Sequence, residues 1–188
     1  MSEPASNVEG EIFSPEAIAA GISRLADRIA SECGSEGVAF VGIHTRGVTL
    51  AQRVAAELAG RGLEYPLGTL DISLYRDDFA HRASKLPSLE TSDVPFSLDG
   101  IRVILFDEVI YTGRTIRAAL DGLMDYGRPA KIELAVLVDR GLRELPIQPD
   151  YVAHRIETRT GQYVKVLFQE DDGKEGVFLE TPEASPVA

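Results

Sequence analysis

The sequence predicts an α/β fold, in which one domain is built on a parallel sheet with flanking helices on both faces. The length of 188 residues fits a single domain with a substantial core. Continuous apolar runs, typical of buried strands, alternate with segments in which apolar residues recur at helical spacing. Successive units of this kind favour a parallel sheet, whose ligands bind beyond the carboxyl ends of the strands.

The first half of the chain is predicted from a capping residue and from apolar spacing. Ser14 can cap a helix that has Pro15 at its first position, and apolar residues then recur every three or four positions. A continuous apolar run follows, and after a polar turn the helical spacing resumes. The elements predicted here are a helix over 15–32, a strand over 38–43, a helix over 48–58 and a strand over 67–75.

A long polar segment separates the two halves of the chain. Residues 76–99 carry charges, hydroxyl side chains and prolines without a sustained period. A stretch of this length inside a compact domain is usually functional or mobile. The elements predicted beyond it are a strand over 101–106, a turn over 107–114, a helix over 116–124, a strand over 132–138, and short strands over 151–156, 162–168 and 176–179.

Charge is distributed unevenly along the chain. The net charge of −11 argues against a protein built mainly to coat nucleic acid. Residues 1–11 carry −3 and residues 169–188 carry −5, which leaves −3 for residues 12–168. We therefore predict one domain over residues 12–168 between two acidic tails, and the near-neutral domain has room for a local basic face.

Several classes of protein are excluded by what the sequence lacks. The longest apolar runs are far shorter than the ~20 residues of a membrane-spanning helix. The first ten residues lack the basic-then-apolar order of a secretory signal. Cys33 is the single cysteine, which excludes an internal disulfide and a cysteine-based zinc site. We expect a cytoplasmic protein, since one unpaired cysteine suits a reducing compartment.

Residues 103–115 contain the side chains and the turn that predict a ligand-binding site. Asp107 and Glu108 are adjacent carboxylates at a predicted strand tip, where they can accept hydrogen bonds from sugar hydroxyls or hold hydrated Mg2+. The turn that follows opens a helix, and its backbone N–H groups can converge on one anion. The residues of this phosphate cup are Thr112, Gly113, Arg114 and Thr115. The spacing of a Walker loop or of a dinucleotide fold is absent.

This segment closely resembles the phosphoribosyl pyrophosphate (PRPP) signature of type I phosphoribosyltransferases, with Glu108 where many members have a second Asp. The resemblance implies a type I phosphoribosyltransferase-like fold with a flexible loop over the site and a small C-terminal β hood, roughly residues 139–168. It also implies that the 5-phosphate of PRPP lies in the cup and that Asp107 and Glu108 accept hydrogen bonds from the ribose hydroxyls. Mg2+ would be held near them, mainly by substrate oxygens and water.

Four segments narrow the resemblance to the PyrR family, whose members are bifunctional pyrimidine operon regulators and uracil phosphoribosyltransferases. The similar segments are 42–47, 70–78, 111–115 and 137–147, and the match runs in register from about residue 12 to 168. Membership implies that the chain forms UMP and pyrophosphate from uracil and PRPP. It further implies binding of a pyr leader messenger RNA with uridine nucleotides as co-ligands, and a homodimer or a larger homo-oligomer.

The resemblance also implies roles for single residues. Thr45 and Arg46 would hold the pyrophosphate of PRPP, and Arg76 would lie on or beside the flexible loop as a further catalytic residue. Asp139 and Arg140 would lie by the base, although these two could instead pair with each other. The substrate-binding set is completed by Tyr111 in the turn and Val164 in the hood.

The regulatory half of the resemblance requires a basic face. Arg24, Arg143 and Arg155 are the candidate RNA-binding residues. Asp27 interrupts the positive charge of the first helix, and Leu142 and Gln148 stand where the family commonly has basic residues. Two alternatives stay open, namely an RNA regulator that senses nucleotides without turnover and a phosphoribosyltransferase for another base, such as a purine.

Overall fold

The computed structural model describes residues 6–34, 37–75 and 91–182. Its strands are β1 (Ser6–Phe13), β2 (Val38–Ile43), β3 (Leu67–Leu70), β4 (Arg102–Ile110), β5 (Lys131–Asp139), β6 (Tyr151–Arg155), β7 (Tyr163–Leu167) and β8 (Gly176–Pro182). Its α-helices are α1 (Pro15–Glu32), α2 (Arg46–Ala59), α3 (Arg114–Leu123) and α4 (Gln169–Asp172). Short 3-10 helices lie at Ser73–Tyr75 and Met124–Tyr126. None of the described helices is both long enough and apolar enough to span a bilayer.

The main sheet is parallel and has the strand order β3-β2-β4-β5-β6. Every residue of β2 is buried, as expected for a central strand covered on both faces. Alternate residues of β4 enter two different cores, since Ile104 and Phe106 pack on the side of α1 and α2. Val103 and Leu105 pack on the side of α3. The predicted parallel sheet with helices on both faces is confirmed.

Local signals place α1 and β2 at the predicted positions. The Oγ of Ser14 accepts a hydrogen bond from the backbone N–H of Ala17 at 3.4 Å, and Pro15 is the first helical residue. The apolar side chains of α1 that face the core are Ile18, Ile22, Leu25 and Ile29. The predictions of a helix over 15–32 and a strand over 38–43 are confirmed.

Two predicted boundaries were wrong. β4 continues through the acid pair, because Val109 and Ile110 remain paired with β5, so the turn begins only at residue 111. β3 ends at Leu70 instead of residue 75. The carboxylate of Asp71 accepts hydrogen bonds from the backbone N–H and the hydroxyl of Ser73, which turns the chain out of the sheet.

The small sheet is antiparallel and contains β1, β8 and β7, in that order. This differs from the predicted hood over 139–168, because β6 pairs in parallel with β5 and buries Tyr151 in the main core. It also differs from the predicted acidic tails, since residues 6–13 and 176–182 form paired strands. Val177 in the second of these strands is fully buried, and the net charge of a segment does not register such a buried position.

The predicted flexible loop lies only partly within the described residues. Its first part, 76–90, which includes Arg76, lies outside them. Its last part is packed on the domain, because Asp93 pairs with Thr69 through two backbone hydrogen bonds and Leu98 is fully buried. Residues 91–99 are therefore packed on the domain, although the sequence shows no regular period there.

Candidate active site

The candidate site lies at the carboxyl edge of the main sheet, where the first turn of α2 packs directly on β4. A Cβ atom on Gly47 would lie 2.5 Å from the carbonyl oxygen of Phe106 and 3.2 Å from the Cα of Asp107. Only glycine permits that approach. Thr45 and Arg46, the two residues before this glycine, are therefore held beside the end of β4.

Asp107 and Glu108 lie on opposite faces of β4, because neighbouring residues of a strand point in opposite directions. The charge of Glu108 acts on Arg46 at the start of α2, and Asp107 follows Leu105, which packs on the α3 side. Asp107 is 5% exposed, and its Oδ1 accepts the backbone N–H of Glu108 at 3.1 Å. Glu108 is half-buried. The acid pair thus presents carboxylates to both sides of the strand end.

Arg46 begins α2 and donates two hydrogen bonds to Asp172. Its Nη2 lies 2.6 Å from Oδ1 and its Nε lies 3.1 Å from Oδ2. These bonds are the main reason that the pKa of Arg46 is raised, and the charge of Glu108 raises it further. Asp172 is a residue that the sequence analysis missed, because no local pattern connects positions 126 apart in the chain.

The turn between β4 and α3, where the sequence predicts an anion-binding cup, opens a helix. Gly113 has a φ of 94°, which favours glycine, and α3 begins at the next residue. The N–H of Arg114 donates to the Oγ1 of Thr112 at 3.4 Å. The carbonyl of Thr112 accepts the N–H groups of Glu144 and Leu145, each at 3.0 Å. The cup therefore lies at a helix N-terminus and is fixed to the segment that follows β5.

Arg140 connects the end of β5 to the small sheet. It is 3% exposed, its Nη2 donates to the carbonyl of Gln162 at 2.6 Å, and its Nε donates to Thr158 at 3.1 Å. The guanidinium carbon lies 4.1 Å from the centre of the Tyr111 ring, and burial lowers the pKa of this arginine. Pairing of Asp139 with Arg140, an alternative that the sequence left open, does not occur among these contacts.

Asp139 is paired with other arginines. Its Oδ1 accepts a hydrogen bond from Arg143 at 2.6 Å, and its Oδ2 lies 4.0 Å from the Nε of Arg155. The side chain of Arg143 is 11% exposed and also donates to the carbonyl oxygens of Tyr111 and Ile147. Arg143 thus holds the loops of the site together and is not an exposed basic side chain.

The other two candidate RNA-binding arginines are exposed. Arg24 lies on α1 and donates to the carbonyl of Ala153 at 3.1 Å. The side chain of Arg155 is 73% exposed at the end of β6. The structure therefore places two of the three predicted residues on the surface, on neighbouring elements.

The predictions that remain concern Val164, Arg76 and the ligands of Mg2+. Val164 lies on β7, is half-buried, and packs against the same core as Val109. Arg76 lies outside the described residues. Within residues 6–34, 37–75 and 91–182, no group of three or more His, Cys, Asp or Glu side chains could hold a metal ion. Either Asp107 or Glu108 would supply one carboxylate ligand to Mg2+, with the other ligands coming from water and substrate.

Comparison with known proteins finds similar sequences over most of the chain. The family model of the phosphoribosyl transferase domain matches residues 9–169. The bifunctional protein PyrR of Deinococcus radiodurans is 50% identical over 174 residues, which cover 92% of this chain and 94% of that protein. The bifunctional protein PyrR of a Picosynechococcus species is 47% identical over 171 residues, covering 90% and 96%.

Solved structures agree on the fold. A hypoxanthine phosphoribosyl transferase of Trypanosoma cruzi superposes with a TM-score of 0.72 at 18% identity, and covers 97% of this chain and 96% of its own. A hypoxanthine phosphoribosyltransferase of Staphylococcus aureus gives a TM-score of 0.68 at 15% identity, with 94% and 93% covered. At these identities the likeness concerns the fold alone. With the domain match and with half of all residues identical over nearly the full length of both chains, the chain belongs to the PyrR family of phosphoribosyl transferase domain proteins.

Proposed function

We propose that the protein is a uracil phosphoribosyltransferase, which forms UMP and pyrophosphate from uracil and PRPP. The observation that carries this proposal is the juxtaposition at the end of β4. The acid pair, the glycine-initiated turn of α3 and the first turn of α2 all meet there. Family membership supports the same activity and favours uracil as the base.

The cup would bind the 5-phosphate of the ribose. The N–H groups of Thr115 and Ile116 lie in the first turn of α3, at the positive end of this helix. The hydroxyls of Thr112 and Thr115 add donors. Asp107 and Glu108 would accept hydrogen bonds from the ribose hydroxyls, because carboxylates are poor neighbours for more phosphate but good acceptors.

The reaction breaks the bond between C1 of the ribose and the pyrophosphate oxygen, while N1 of uracil bonds to C1 and loses its proton. Its transition state has oxocarbenium character, so no protein nucleophile is needed. Arg46 would stabilise the charge that develops on the leaving pyrophosphate, together with Thr45 and Arg76. Mg2+, when bound with PRPP, adds positive charge to the same leaving group.

The base would lie near the end of β5, where Arg140 joins the sheet to the small sheet. Arg140 holds this boundary through its bonds to Thr158 and Gln162, so that the base is covered and water is kept from C1. Asp139 and Val164 are the other residues that we place around the base. The same function implies a cytoplasmic protein and, by family, a homodimer or a larger homo-oligomer.

The test is pyrophosphate release from PRPP and Mg2+ in the presence of uracil, hypoxanthine, guanine or orotate. We expect release with uracil well above the rate with the other bases. The variant Asp107→Asn combined with Glu108→Gln should lose most of this turnover while keeping its fold, because the side chains keep their size and lose their charge. Release with a purine alone, or none with uracil, would reject the proposal.

A second proposed function is uridine-nucleotide-dependent binding of a pyr leader RNA. It rests on the similarity to bifunctional relatives over more than nine-tenths of both chains. The exposed Arg24 and Arg155 are the described residues that would contact the RNA. Binding of the leader over a scrambled RNA, stronger with UMP than without it, is the expected result.

A further inference from the structure

The helix α4 places its acidic residues against α2, at the end where the pyrophosphate of PRPP would bind. Asp172 holds Arg46 through the two bonds described above. The side chains of Arg46 and Asp172 are 31% and 15% exposed, so solvent and salt screen this ion pair less than a surface pair. A two-point contact between a guanidinium and a carboxylate also fixes the plane of the guanidinium.

Asp172 is itself held in place. Its Oδ2 accepts the backbone N–H of Phe168 at 3.0 Å, and Phe168 is fully buried. The carboxylate is thus attached to the core and does not depend on Arg46 for its position.

The rest of the segment has its own attachments to α2. The hydroxyl of Thr49 donates to Asp171 at 2.7 Å. Arg53 forms ion pairs with Glu170 at 2.6 Å and Glu175 at 2.5 Å, and it lies over the ring of Phe168. These contacts should keep α4 in place when Asp172 is changed.

The pairing uses only part of the guanidinium. Arginine has five N–H donors, and Asp172 takes the one on Nε and one on Nη2. Among the described residues, Nη1 has no hydrogen-bond partner. Three N–H groups therefore remain for a ligand, on a side chain whose orientation is already set.

We propose that Asp172 is a positioning residue for PRPP, which acts by holding Arg46 ready to bind the pyrophosphate group. This inference rests on the proposed function and assigns a role to a segment that the sequence places far from the site. Without Asp172, Arg46 must be ordered when PRPP binds. Ordering one long side chain weakens binding roughly threefold to tenfold.

The experiment compares Asp172→Asn with the wild-type protein in uracil-dependent turnover and in calorimetric titrations with pyrophosphate and with UMP. We expect the KM for PRPP to rise and pyrophosphate to bind more weakly by that factor, with kcat within about twofold, because Arg46 keeps its charge on the leaving group once bound PRPP has ordered it. UMP affinity should not change. Glu170→Gln is the matched control, because it removes a charge from the same helix and leaves Glu175 on Arg53.

A double-mutant cycle separates positioning from a purely structural role. In the Arg46→Ala background, Asp172→Asn should have no further effect on PRPP or pyrophosphate. An equal effect in that background, a loss of UMP affinity, or no change at all would overturn the inference. Tighter PRPP binding by Asp172→Asn would overturn it as well, since Asp172 would then be a competitor of the pyrophosphate.

The proposed function can fail separately. If the wild-type protein shows no uracil-dependent turnover, that function is rejected, while the pyrophosphate titrations still decide the role of Asp172. If the wild-type protein binds no pyrophosphate either, the inference is rejected as well.

Discussion

Arg46 connects two charged partners, Asp172 on one edge of the guanidinium and the ligand on the remaining N–H groups. Arg46→Ala should weaken PRPP and pyrophosphate binding about 10-fold to 150-fold, because charge-assisted hydrogen bonds contribute roughly 1.5 to 3 kcal/mol. UMP should bind nearly as before, since it has no pyrophosphate. Calorimetric titration with the three ligands measures this difference.

The same substitution leaves the half-buried carboxylate of Asp172 without its cation, which lowers stability for a reason unrelated to binding. Arg46→Ala combined with Asp172→Asn removes both charges and is the control, with thermal unfolding as its measurement. Equal losses for PRPP and UMP in both variants would show that Arg46 supports the fold or the monophosphate site.

At the scale of elements, the site depends on the close packing of the first turn of α2 against β4. In Gly47→Ala the new methyl group would meet the carbonyl of Phe106 at 2.5 Å, so the start of the helix must move away from the strand. We expect a loss of about 1 to 3 kcal/mol in the free energy of unfolding, as for other overpacked sites, and a lower kcat/KM for PRPP. Urea unfolding and steady-state kinetics measure the two effects.

The control is a glycine at the other end of the same helix. Gly60 has a φ of −59°, and a Cβ there would lie 3.4 Å from the carbonyl oxygen of Glu57. Gly60→Ala should leave activity unchanged and keep or raise stability, by up to about 1 kcal/mol. If the two alanines behave alike, the packing of Gly47 has no part in building the site.

The elements and residues that could be predicted are those whose signals are contiguous in sequence. The helix α1 has its cap and its apolar stripe within 18 residues, and Asp107, Glu108 and the turn after them form one segment. The place of β6 in the main sheet and the bonds of Arg140 could not be predicted. They depend on pairing between segments whose register local periodicity does not specify.

At the scale of the whole molecule, the net charge of −11 gives a poor picture of the surface. Two of the three acidic residues of α4, Glu170 and Asp172, form ion pairs with arginines of α2, and β8 is a strand of the small sheet. Deleting residues 169–188 as a tail would therefore remove part of the fold. RNA binding therefore has to be tested by single substitutions at exposed arginines, which leave the domain intact.

RNA binding by this acidic chain requires a few exposed arginines, so its dependence on salt is the decisive property. If Arg24 and Arg155 each neutralise one phosphate, Arg24→Ala and Arg155→Ala should each lower affinity for the pyr leader. Each should also reduce the slope of log affinity against log salt by roughly 0.7, the value for single-stranded segments. Lys165→Ala is the control, because this half-exposed lysine lies on the small sheet, with its Nζ 3.9 Å from Glu180. Filter binding with the leader and a scrambled RNA, with and without UMP, measures these effects. A slope unchanged in both arginine variants, or equal binding of the two RNAs, would leave the enzyme as the single function of this family member.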